Sequence, residues 1–112
     1  MMEWNNIKDA YPKSFDKFVT TMFPNVGIPC VTSLCFFDDK KLYKFFDTFG
    51  IYLNIEMFNK NQWFYTISLD NGFVIGNGQL SRQTREEIER DGFLECFKLM
   101  ERRISVVTNK HL

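Results

Sequence analysis

Two stretches of this chain, GIYLNIEMF and WFYTISL, alternate residue by residue between more and less apolar side chains, and they follow one another closely. Alternation of period two is the mark of a half-buried strand, and two such runs in succession predict a hairpin. Residues directly opposite one another in a hairpin share a face of the sheet, so the register must bring the two apolar sets together. One set is Ile51, Leu53, Ile55 and Met57; the other is Trp63, Tyr65, Ile67 and Leu69. They meet if Met57 pairs with Trp63 and Ile55 with Tyr65. Placing Phe58 opposite Gln62 then predicts a three-residue loop, Asn59-Lys60-Asn61, closed by a left-handed Asn61. A plain two-residue loop at Lys60-Asn61 would put Trp63 on the face of Phe58 and split the core. The same test at Asp70-Asn71-Gly72 pairs Leu69 with Phe73 and Ile67 with Ile75, with Gly72 left-handed and a short third strand in FVIGN.

Helix signals flank these strands. Before them, Leu42, Phe45, Phe46 and Phe49 form a stripe behind a capping Asp38 or Asp39, and Gly50 sits where a left-handed residue ends a helix. After them, a long helix begins at Ser81 or at Thr84, where Thr84 and Glu87 have capping-box spacing. Its apolar residues, from Ile88 through Phe93, Cys96, Phe97 and Met100 to Ile104, cover a broad core-facing surface. Nearer the N-terminus, Phe15, Phe18, Val19, Met22 and Phe23 make one stripe, which predicts a helix from an N-capping Ser14 to about Phe23, stopped by Pro24. Residues 1–12 read as an irregular arm anchored by Trp4. CVTSLCFF, at 30–37, has strand propensity with poor alternation. The expected fold is α+β, in the order α-β-α-β-β-β-α. It is a two-layer sandwich, an antiparallel sheet of three or four strands with helices on one face. A single domain over 1–112 is expected: an arm, helix and edge strand in 1–37, an α-β-β-β-α core in 38–104 and a tail in 105–112.

Charge and composition narrow the function. Lys and Arg total 14 and Asp and Glu total 14, so no net field draws the chain to nucleic acid or an anionic membrane. No apolar run approaches the roughly 20 residues of a membrane span, and the N-terminal stretch lacks the apolar core of a signal peptide. Cys30, Cys35 and Cys96 show no paired spacing, which fits reduced thiols and a cytoplasmic protein. The one histidine is His111, near the C-terminus, so histidine-based nucleophile activation has no partner. No metal-ligand spacing is present, and Gly76-Asn77-Gly78 completes no phosphate-loop motif. A non-enzymatic protein without cofactor or metal is expected.

Aromatic residues make up 17% of the chain, more than a core this small readily hides. On the register above, Tyr52, Phe58 and Phe64 fall on the face of the sheet away from the helices and are the expected partner-binding residues. The order α-β-β-β-α, with GNGQLS before the last helix, resembles the double-stranded-RNA-binding domain. That resemblance implies RNA contacts at the helix start, but SRQTREEIE replaces the family's lysine cluster with acids. Arg82, Arg85, Arg102 and Arg103 are the residues an RNA-binding alternative would use. The texture of LYKFFDTFGIYLNI, the aromatic hairpin and TREEIERDGFLECFKLMERRI also resembles small accessory proteins of Bacteroidetes phages and mobile elements. This second resemblance implies an inhibitor of host defence, of the anti-CRISPR type, that acts by occupying a nuclease complex. The expected partner is therefore a protein, with RNA binding or a structural homodimer as alternatives.

Overall fold

The computed structural model describes the backbone of residues 4–22, 39–60, 62–72, 74–76 and 84–110, and all their side chains except those of 39, 58, 59, 76 and 106–110. The described elements are α1 (Trp4–Ala10), α2 (Pro12–Met22), α3 (Asp39–Thr48), β1 (Ile51–Asn59), β2 (Gln62–Leu69), β3 (Val74–Gly76) and α4 (Arg85–Lys110). The fold is α+β, with a three-stranded antiparallel sheet in the order β1-β2-β3. The chain forms two packing units: Asp39–Cys96, and Met1–Asp38 together with Phe97–Leu112. Helix α4 contributes one half to each.

In the sheet unit, the predicted pairings Met57–Trp63, Ile55–Tyr65 and Ile67–Ile75 are all present. The loop of the first hairpin differs from expectation. Asn59 pairs with Gln62, and the odd residue is absorbed as a bulge at Phe58. The short connection and the united apolar faces are thus compatible, because a bulge changes the parity of one strand without moving the pairs beyond it. At the second turn, Gly72 has φ +84° and its N–H donates to the Leu69 carbonyl at 2.9 Å, the left-handed closure expected there. The proposed Leu69–Phe73 pair lies outside the described residues.

Helix α3 and the first half of α4 cover the sheet face that presents Ile51, Leu53 and Ile67. Leu42, Phe45 and Phe46 are buried as their spacing predicts, with Phe46 stacked on Phe93 at 6.3 Å. Gly92 lets α4 approach closely: a Cβ there would stand 2.6 Å from Leu53 Cδ1. Helix α3 ends at Gly50, whose φ is +72° and whose N–H donates to the Asp47 carbonyl at 3.0 Å. Thr84 caps α4, its Oγ1 accepting the Glu87 N–H at 3.2 Å. Glu89 is the one buried carboxylate among the described residues. It accepts a hydrogen bond from the Tyr43 hydroxyl at 2.6 Å and lies 3.6 Å from Arg85. A buried charge so engaged avoids most of the cost of an unpaired one.

The other unit corrects three expectations. Residues 4–10, expected as an irregular arm, are the helix α1, which buries Trp4 and Ile7 one turn apart. Ser14 is not an N-cap. The helix opens at Pro12, whose missing N–H is no loss in a first turn, and Ser14 lies buried inside it with its hydroxyl donating to the Phe97 carbonyl at 2.8 Å. The capping acceptor comes from α4: Glu101 receives the Ser14 N–H at 2.7 Å and the Lys13 N–H at 3.2 Å. Residues 105–110, expected as part of a tail, continue α4, which runs to Lys110. Trp4, stacked on Phe18 at 5.3 Å and edge-on to Phe97 at 6.2 Å, accounts for part of the aromatic excess by burial. The strand proposed at 30–37 lies outside the described residues.

Candidate functional site

The face of the sheet turned away from α3 and α4 follows from the register. It presents Tyr52, Asn54 and Glu56 from β1, Phe64, Thr66 and Ser68 from β2, and Val74 from β3. Tyr52, Ser68 and Val74 form one row across all three strands. Two strand spacings, about 10 Å, separate its ends. Tyr52 is 41% exposed and Val74 59%, while Ser68 between them is small. Phe64 is half-buried and lies four residues along β2 from Ser68, about 13 Å away. Large apolar groups at both ends of the row and further along β2, with the hydroxyls of Thr66 and Ser68 between them, offer both apolar contact and hydrogen bonds.

Tyr52 is held in place from the turn between β2 and β3. Its hydroxyl donates to Asp70 Oδ1 at 3.1 Å, and the Asp70 N–H donates to the Gly50 carbonyl at 3.2 Å. The Asp70 carboxylate lies over Gly50, where a Cβ would collide with it. The hydrogen bond to Asp70, then the charge of that carboxylate, raise the Tyr52 phenol above the ordinary tyrosine value. The hydrogen bond to Asp70 thus orients the Tyr52 ring at this end of the row.

Of the three rings expected on this face, Tyr52 and Phe64 lie there together. Phe58 is the bulge residue, and its side chain lies outside those described. Val74 belongs to the site and was not among the expected residues. The signal for it was present, because pairing Ile67 with Ile75 puts Val74 opposite Ser68. Asp70 was likewise read only as a turn residue.

Arg85 lies on α4 and not on this face. Arg82 lies outside the described residues. Arg85 sits in the first turn of α4 beside Glu86 and Glu87 and pairs with Glu89 at 3.6 Å. Arg102 and Arg103 are exposed several turns further along the same helix. Cys96 is buried, and burial first, then the charges of Glu95 and Asp47, push its thiol well above the ordinary cysteine value, so it is no nucleophile. Among the described residues no cluster of three or more His, Cys, Asp or Glu could hold a metal ion, and no helix is long and apolar enough to cross a membrane. No family model, curated protein or solved structure matches the chain.

Proposed function

We propose that this chain is a non-enzymatic binding module that takes a protein partner on the open face of its sheet. One observation carries the reading: Tyr52 and Val74 stand exposed at opposite ends of a single row across three strands, with Phe64 half-buried on the same face. Two of the three exposed large apolar side chains among the described residues, Tyr52 and Val74, share this face, the third being Met57 on the other, and apolar groups exposed together on one face are a common feature of interaction surfaces. Aromatic anchors with few rotatable bonds are the residues that dominate protein interfaces. Asp70 adds preorganisation, since a ring oriented by a hydrogen bond loses less freedom on binding.

A host defence nuclease complex is the partner class supported by the likeness to phage accessory proteins, and occupying such a complex requires no catalytic group. RNA is the weaker alternative. Arg85 is engaged by Glu89, and the acids of the same turn oppose phosphate, so the counterion release that drives nucleic-acid binding would be small.

The test is capture of partners from native host lysate, treated with nuclease, by the tagged chain and by a Tyr52→Ala/Phe64→Ala/Val74→Ser variant that still melts cooperatively. A protein held by the first and lost by the second supports the reading. Equal capture by both removes the face from the function. Salt-sensitive retention of RNA in a filter titration would favour the alternative.

A further inference from the structure

Among the described residues strand β1 is an edge of the sheet, and the ladder fixes the direction of its backbone groups. The Asp70 N–H donates to the Gly50 carbonyl, which makes Gly50–Asp70 a hydrogen-bonded position of the β1–β2 ladder. Such positions alternate along an antiparallel pair. Tyr52, Asn54 and Glu56 therefore turn their N–H and C=O groups toward β2. Ile51, Leu53, Ile55 and Met57 turn theirs outward, and among the described residues no strand lies on that side.

Exposed edges of this length are normally blunted by lysine, proline or a bulge. From Ile51 to Met57 there is no proline and no basic residue, and Glu56 is the one charge. The bulge at Phe58 comes only after this stretch, which leaves it regular and, among the described residues, unpaired on its outer side. We propose that a second copy of this chain fills the edge, β1 against β1 in antiparallel order, joining the two sheets into one of six strands.

Self-complementarity favours a second copy over a foreign strand. A two-fold axis through Asn54 is the centre of the regular stretch and pairs all of it with itself, Ile51 with Met57 and Leu53 with Ile55. The outward groups of the four apolar residues then meet in hydrogen-bonded positions, about eight hydrogen bonds in all. Glu56 faces the partner's Tyr52 rather than the partner's Glu56, so like charges are kept apart. Met57, 58% exposed in the single chain, gains the partner's Ile51 as a cross-strand neighbour. Moving the axis to Leu53 or Ile55 strands part of the edge or runs into the bulge, and moving it to Glu56 sets the two carboxylates opposite each other. This pairing lies in the plane of the sheet and does not depend on the partner-binding role of its open face.

The experiment is light scattering on the full chain over a range of concentrations, against a monomer mass of 13.4 kDa. Asn54 is exposed, so Asn54→Lys and Asn54→Asp leave the core intact and place like charges on the two-fold axis. Each should weaken dimerisation at least about tenfold, and an equal mixture of the two should restore it. Ile55→Pro removes an outward N–H without touching the β1–β2 ladder and should also give monomer. A wild-type chain that remains monomeric to about 1 mM would overturn the proposal. So would a dimer that Asn54→Lys and Ile55→Pro both leave unchanged, because its interface would lie elsewhere.

Discussion

Replacing Gly92 by alanine sets two effects of known size against each other. In a helix interior the change ordinarily stabilises by about 1 kcal/mol, since alanine loses less backbone freedom on folding. Here the new methyl would stand 2.6 Å from Leu53 Cδ1, 3.2 Å from Cδ2 and 3.4 Å from Cγ, so the Leu53 side chain or the helix must move. Leu53 is buried on β1 and has little room to yield. Overpacking of this kind costs about 1–3 kcal/mol. The net expectation is a loss of about 1 kcal/mol in wild type. In a Leu53→Ala background, itself destabilised by about 2–5 kcal/mol, the obstruction is gone and Gly92→Ala should stabilise by about its propensity value. Urea denaturation of the four proteins closes the cycle, with an expected coupling of about 2 kcal/mol. If Gly92→Ala stabilises wild type by the full propensity gain, α4 does not approach β1 as described and the packing argument fails.

Other expectations concern single contacts. Glu101→Ala should cost about 1–2 kcal/mol by uncapping α2, and Glu101→Gln less, because its amide oxygen still accepts; equal urea midpoints for wild type and the alanine variant would refute the cap. The phenols of Tyr52, raised by Asp70, and Tyr65, raised first by burial and then by Glu95 and Asp91, should ionise above the ordinary tyrosine value. Because the neutral phenols are favoured in the folded state, their contribution is complete below the unfolded tyrosine pKa and is lost as pH rises through the folded values. Ultraviolet titration of Asp70→Asn should show the Tyr52 step moved down toward the ordinary value, and an unmoved step would remove Asp70 as its cause. With Cys30 and Cys35 changed to serine, Cys96 should react with a thiol reagent only at the rate of global unfolding, and fast labelling of native protein would contradict its burial.

How much of this was legible in the sequence depended on whether the signal was local. The strand register could be read because alternation leaves one parity that unites Ile55, Met57, Trp63 and Tyr65. Thr84 and Gly50 were readable as helix ends because both act on their own turn. The bulge at Phe58 was not readable: it and the three-residue loop satisfy the same parity. WNNIKDA has two large apolar residues and no strong cap, so its helix was not apparent without the rings of Phe18 and Phe97 against Trp4. The cap on α2 comes from Glu101, far along the chain, and no local pattern could announce it. At the open face, Tyr52 and Phe64 followed from alternation, whereas Val74 needed the register carried one strand further. Asp70 emerged only from the fold, which brings the turn after β2 over Gly50 and beside Tyr52.

Site-specific photo-crosslinking tests the binding role of the open face most directly. A photoreactive residue placed at Val74, on the open face, is compared in native host cells with one at Lys44, exposed on α3. The predicted result is a heterologous protein cross-linked from position 74 and not from position 44, and lost when Tyr52→Ala is added. Cross-links from position 44 alone, or from neither position, would contradict a partner on this face.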